Sequence, residues 1–287
     1  MTKMSDTNLV SNSVKTWINV AKQTFLSIGE KRLDTLAAGI AFFGTLSFFP
    51  LVTTLVAIGG IILEPSQMND VTNAINTYLP HDIANFITTQ LTSATQNKSH
   101  NSVVAIGAVM LAIFGISGAV TATISATNAA YGIKETRNVI KLRATSMVWT
   151  FIVLIIVQIL IPLLFIGNRV LASFHVAPAT IVLYEIARWI ILIVLLTGGL
   201  ALFYHYGPNR ARTKLQWMSR GALVATLLWI TVTALFFIYL QNFSSFSSYY
   251  SLFAGIIAMM IWLNLGSLSI LIGAEVNHQL ENHTKKS

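Results

Sequence analysis

Apolar positions along this chain gather into long charge-free runs rather than alternating with polar ones. The first run extends from Thr35 to Leu63, bracketed by Asp34 and Glu64. A bilayer core about 30 Å thick takes roughly 20 apolar helical residues to cross, so this run predicts a membrane span with length to spare. Pro50 lies inside it and predicts a kink, because proline lacks an N–H and its ring clashes with the carbonyl four residues back. In lipid the freed carbonyl needs another donor, which places Pro50 against helices or water rather than acyl chains. Thr45, Ser47 and the Gly59–Gly60 pair share the span. Ser47 and Pro50 are therefore candidate cavity-wall residues, with a structural kink in a packed helix as the alternative.

The later runs predict five more spans, near 103–127, 144–168, 180–206, 221–240 and 251–274. The last two come from one charge-free stretch, Gly221 to Ala274, which is too long for a single crossing and is divided by QNFSSFSSYY. In the second span Gly118, Ala122 and Ala126 recur every fourth residue, a spacing that lets a neighbouring backbone approach closely. Residues 67–96 read as two short amphipathic helices split at Pro80, either a lid or ordinary loop packing. Residues 1–12 read as a disordered polar segment. From Val14 an apolar stripe of Val14, Trp17, Ile18, Ala21, Phe25 and Ile28, framed by Lys15, Lys22, Lys31 and Arg32, predicts a helix lying along headgroups. No signal peptide is visible, because the first apolar run is too long for one. The organisation expected is a cytoplasmic segment 1–33, a six-helix transmembrane domain 34–275 and a cytoplasmic tail 276–287. The fold class is all-α and polytopic, with six transmembrane helices plus amphipathic N-terminal and extracytoplasmic helices.

Composition agrees: 54% of the 287 residues are hydrophobic and only 10% charged, which sets the chain outside ordinary soluble domains. A net charge of +8 raises nucleic acid as a partner, but the positions of the charges give a simpler account. With six spans, both termini and the even-numbered connections share one side. That side holds 15 of the 18 basic residues, and the positive-inside rule then makes it cytoplasmic. Cysteine is absent, which excludes disulfides and thiolate metal sites in this chain.

Four stretches then resemble the bacterial YihY/BrkB family of integral membrane proteins, once labelled ribonuclease BN. They are AAGIAFFGTLSFFPLV at 37–52, NAAYGIKETRNVIKLR at 128–143, PNRARTKLQWMSRGALVATLLW at 208–229 and IWLNLGSLSILIGAEVN at 261–277. Asn128, Tyr131, Glu135 and Arg137 stand in the family's places. Tyr250–Ser251 departs from the family's Tyr-Gly, which implies a helix start that tolerates serine. The resemblance covers about residues 20–280 and implies a six-helix fold in the bacterial cytoplasmic membrane. It also implies a choice of roles, among them ion or small-solute transport and envelope integrity.

The ribonuclease label finds no chemistry in the residues. His81, His100, His175, His205, His278 and His283 are scattered, without metal-ligand spacing, and no phosphate loop or nucleophile elbow is present. The chain is therefore read as no enzyme, with no cofactor, metal or nucleic acid. The informative residues are polar groups at membrane depth, which are costly and by default functional candidates. Glu185 and Arg188 stand three apart and can pair on one helix face, as a structural pair or as a cavity lining. Asn264 lies within the last span, as an interhelical hydrogen bonder or a cavity residue. Glu275 closes that span, either as a solvated terminus or as a partner of the basic loops. Gln158 reads as helix glue. Two function classes follow. One is a transport-related protein moving an ion, small solute or lipid through a polar cavity among the helices. The other is a structural or interaction protein of the envelope. Homo-oligomer formation is left open by the sequence.

Overall fold

The computed structural model describes residues 3–62, 69, 72–73, 75–76, 84–85, 87–89, 101–165, 178–210, 219–242 and 251–286. Among these, seven long helices carry the architecture. They are α1 (Lys3–Glu30), α2 (Leu33–Ile62), α3 (Asn101–Ala130), α4 (Val139–Phe165), α5 (Pro178–Tyr206), α6 (Arg220–Asn242) and α7 (Ser251–Lys286). The described residues contain no strand. Helices α2 to α7 are each long and apolar enough to cross a membrane, so the protein is an all-α, multi-pass membrane protein. The two amphipathic helices expected over 67–96 fall largely outside the described residues, as does the divider after Asn242.

α1 begins at Lys3, where a disordered segment is expected from the sequence. Neither proline nor glycine occurs between Lys3 and Ile28, so nothing breaks the helix once it starts. Its end is sharp. The Lys31 and Arg32 amides bond back to the Ser27 and Gly29 carbonyls, and Arg32 adopts a left-handed φ of 51°. The Arg32 carbonyl then accepts the first bond of α2 from the Leu36 amide, at 3.1 Å. Asp34 in the first turn of α2 opposes the positive end of the helix dipole. α2 passes through Pro50 without interruption.

The packing order makes a ring. α2 packs on α3 and α7, α3 on α4, α5 on α6 and α6 on α7, while α4 touches α5 most lightly. Small residues set the closest approaches. A Cβ on Gly115 would stand 2.7 Å from the Ser47 Cβ, and one on Gly118 would stand 2.9 Å from the Phe43 ring, so α2 and α3 meet glycine to side chain. α6 and α7 come closer still: Gly221 and Gly273 face each other so tightly that a Cβ on either would run into the other's carbonyl oxygen. Hydroxyls also join neighbouring helices, Thr121 to Ser146 at 2.9 Å and Thr197 to Thr226 at 3.1 Å.

Much of the described core gathers at one end, and Val52 and Ala112 carry burial towards the other. Leu33, Ala37, Ile124, Ala130, Trp149, Tyr204, Ala222 and Leu271 are all buried, and they lie towards the end of the bundle that carries 128–143, 207–210 and the start of α6. We call this the basic end. Trp149 of α4 and Phe203 of α5 meet edge to face there, ring centres 5.1 Å apart. Apolar side chains face outward along α5 and α6, with Val182, Leu183, Leu227, Leu235 and Phe237 exposed.

Candidate functional site

Two polar groupings stand out. The first is on α5. Because the helix starts at Pro178, Arg188 lies ten residues in, about 15 Å along the axis at 1.5 Å per residue. Arg188 Nη2 donates to Glu185 Oε2. The Arg188 side chain is 11% exposed and that of Glu185 30%. The guanidinium also lies over Tyr184 and Trp189, 5.9 and 5.8 Å from the ring centres, an arrangement that holds a cation by its attraction to the ring faces. The pairing on one helix face expected from the spacing is present, with Glu185 partly open.

The second grouping ties the connections of the basic end together. α3 ends in a left-handed glycine, Gly132 at φ 67°. Its amide bonds to the Ala129 carbonyl while the Ile133 amide reaches back to Asn128, the double closure that satisfies the last helical carbonyls. That turn delivers Glu135 to Arg137 as a two-pronged pair, with Nε to Oε1 at 2.8 Å and Nη2 to Oε2 at 2.7 Å. The Asn128 amide adds a 2.8 Å bond to Glu135, and Arg137 Nη1 donates to the Gly207 carbonyl at 3.1 Å. Asn128 Oδ1 in turn accepts from the Asn209 amide at 2.8 Å. Asn138 then starts α4, its Oδ1 capping the Lys141 amide.

Around the α7 terminus, Gly221 N donates to Asn277 Oδ1 at 2.8 Å, while Asn277 Nδ2 donates to Ser219 Oγ at 3.1 Å and Tyr131 OH at 3.3 Å. Arg210 bonds Glu281 at 2.8 Å and lies 4.6 Å above the Tyr131 ring centre. Burial pushes the Tyr131 phenol up to about 12, against the opposing pull of Arg210. Glu275 is fully buried. Lys31 Nζ reaches it at 2.6 Å and also donates to the Ala130 carbonyl at 2.6 Å, and Gln279 donates to its other oxygen at 2.7 Å. One lysine thus pins the α1–α2 turn, the end of α3 and α7.

The hydrogen bonds from Arg137, assisted by Asn128, hold the Glu135 carboxyl down to about 2 against an ordinary 4.5, despite partial burial that works the other way. A depressed carboxyl contributes stability that is complete above its unfolded value and is lost as pH falls towards the folded one. The wild type is therefore expected to lose stability from about pH 4.5 down to about 2. Glu135→Gln should lack that part of the slope, so the gap in melting temperature between the two proteins should shrink on acidification. A gap independent of pH would show that the carboxylate carries no such coupling.

The six residues singled out by the sequence do not form one site. Glu185 and Arg188 meet each other. Ser47 is buried, donates to the Gly44 carbonyl at 2.9 Å and fills the space over Gly115, while Pro50 and Asn264 are half-buried on α2 and α7. Glu275 sits at the other end of the bundle from Glu185. Glu185 precedes Tyr204 by 19 residues, about 28 Å of helix, and Tyr204 OH bonds the Ile270 carbonyl beside the basic end at 2.6 Å. Glu275 is neither solvated nor paired with a basic loop, since its cation comes from the N-terminal segment. The expected tail beyond it is helical to Lys286, with Val276 and Asn277 buried. The Gln158 side chain lies outside the described residues. Sequence reasoning missed Lys31, Asn209 and Asn277 as parts of a network. Their partners are distant in the chain, and only the helix-stop pattern around Tyr131–Gly132 signals a built junction.

Among the described residues no group of three His, Asp or Glu side chains gathers as a metal-ligand set. The family described as virulence factor BrkB matches residues 24–287. A protein of Bacillus subtilis named putative ribonuclease-like protein YfkH is 29% identical over 87% of this chain and 90% of its own length. A UPF0761 membrane protein of Aromatoleum aromaticum is 22% identical over 89% of this chain and 62% of its own. Another, of Idiomarina loihiensis, is 32% identical over 33% of each chain. No solved structure matches. With its helices, its basic-end junction and the match from residue 24 to 287 taken together, the chain belongs to the BrkB family of multi-pass membrane proteins.

Proposed function

We propose that this protein moves an ion, a small solute or a lipid along a polar route between its helices, from the cytoplasmic membrane of a bacterium. The observation that carries this reading is the Glu185–Arg188 pair. A carboxylate and a guanidinium within an otherwise apolar helix are expensive in lipid, and the partial exposure of both leaves them able to meet something that passes. In this reading the basic end and both termini face the cytoplasm, as the distribution of lysine and arginine favours. Ser47, Pro50 and Asn264 are candidate walls of the route, and Glu275 belongs to its closed end.

The interlocked basic end favours a second reading, a structural protein of the envelope that moves nothing. For the word ribonuclease in the name of the Bacillus subtilis relative, no metal-ligand set gathers among the described residues. Cation and proton flux in proteoliposomes separates the two membrane readings. Flux is expected in the wild type and is expected to fall at least tenfold in Glu185→Gln and Arg188→Ala that still elute and melt as folded protein. Absence of wild-type flux over a broad ion panel discards ion transport and leaves lipid movement, to be scored by transfer of labelled lipid between leaflets. Failure of both favours the structural protein.

A further inference from the structure

α1 uses little of its surface on the protein. Val20, Thr24 and Ser27 are buried on one flank, and α1 packs on α7 and α2. Turning about 100° per residue, Trp17, Ile18, Ala21 and Phe25 form a neighbouring face, and the structure leaves it bare. Trp17 is 39% exposed, Ile18 61% and Phe25 76%. Lys15 and Lys22 are exposed and fall on the flank opposite Val20, Thr24 and Ser27, beside Leu26, which is exposed too. Asn19, Gln23 and Glu30, also exposed, occupy the face away from Phe25. Around the helix the order is protein, apolar ridge, lysines, neutral and acidic polar residues.

We propose that this ridge and its two lysines form a contact surface for anionic phospholipid in the leaflet at the basic end. Three observations select that occupant. α1 is joined to the span α2 through only Lys31 and Arg32, so it starts at the membrane surface. A tryptophan and large apolar side chains fit the boundary between headgroups and acyl chains, where the ring stays half polar and half buried. The exposed Lys15 and Lys22 border the ridge, and they match an anionic leaflet in charge. The proposal does not depend on transport, and it gives α1 a lipid class to recognise as well as a place to lie.

The chain has no cysteine, so single-cysteine variants of the full-length protein can be spin-labelled without background. The test compares labels at Phe25→Cys and Gln23→Cys in nanodiscs of phosphatidylcholine alone and of phosphatidylcholine with phosphatidylglycerol. Both positions are exposed, so neither variant disturbs the core. With phosphatidylglycerol present, the Phe25 label should meet oxygen dissolved in the bilayer several-fold more than a water-soluble nickel chelate, and the Gln23 label the reverse. That preference should weaken several-fold in phosphatidylcholine alone and in the Lys15→Gln/Lys22→Gln background. A Phe25 label as open to the chelate as Gln23 overturns the proposal. So does dipolar broadening between two Phe25 labels, which would seat a second copy on the ridge. Bilayer contact that is the same in both lipids and indifferent to the lysines overturns the anionic assignment.

Discussion

Alanine at Gly273 is expected to be among the most damaging substitutions in the chain, and alanine at Gly221 its equal. A Cβ at Gly273 would meet the Gly221 carbonyl, the Ala225 Cβ at 2.6 Å and the Tyr204 hydroxyl at 2.7 Å. A Cβ at Gly221 would meet the Gly273 carbonyl and the Asn277 side chain. Overpacking a well-filled site costs about 1–3 kcal/mol when side chains can shift. Here the obstacle is helix backbone, which cannot rotate aside, so α6 and α7 must separate. Separation would also break the bond from Gly221 N to Asn277 and the hydroxyl bond of Tyr204. The expected result is loss of monodisperse protein in detergent, or a melting temperature far below wild type. Gly198→Ala is the internal comparison: a Cβ there meets nothing within 4 Å, and a melting temperature close to wild type is expected. Equal melting behaviour for all three variants would refute the close-contact account.

Lys31→Ala should follow closely, and it should cost more than Glu275→Gln. Removing the lysine leaves a fully buried carboxylate without its cation, and breaking a buried pair from one side costs about 3–5 kcal/mol. Removing the negative charge instead leaves Lys31 at 23% side-chain exposure, with water and the Ala130 carbonyl still available to it. Replacing both partners at once, Lys31→Met with Glu275→Met, should restore much of the loss, because an apolar pair of similar volume avoids both desolvation terms. Thermal melts of the four proteins in one detergent make the comparison. If Glu275→Gln proves as damaging as Lys31→Ala, the pair works by shape and hydrogen bonding more than by charge.

The spans were easy to read because lipid permits so little else: a charge-free run of 29 residues between Asp34 and Glu64 has few other physical explanations. The same logic singled out Glu185 and Arg188, whose spacing alone puts them on one face. Glu275 was harder. It stands at the start of a stretch rich in polar residues, and nothing local says that Lys31, 244 positions away, will cover it. Asn277 poses the same difficulty, since one amide serves Ser219, Gly221 and Tyr131 from three parts of the chain. The stripe in α3 was legible in kind but incomplete: Gly118 does admit Phe43, yet the tighter contact is at Gly115, off the four-residue repeat that drew attention. In α1 periodicity found the apolar face, whereas the face that seats on the bundle is the small and polar Val20–Thr24–Ser27 flank. Helix pattern reports what a face is made of, and it does not report which face a neighbouring helix will choose.

Where Gly221 and Gly273 touch, two rods meet with no side chain between them, and such a crossing behaves as a fulcrum. It lies at the very start of α6, so the 21 residues beyond it form a lever about 32 Å long at 1.5 Å per residue. α7 offers a matching arm from Gly273 back to Ser251. A rotation of about 10° at the crossing would carry the far tip of either arm some 5–6 Å sideways, by the same helix geometry. Partway along the arms the 3.2 Å bond from Trp262 Nε1 to Thr233 Oγ1 ties them, so parting the tips would cost that bond even with the glycines still in contact.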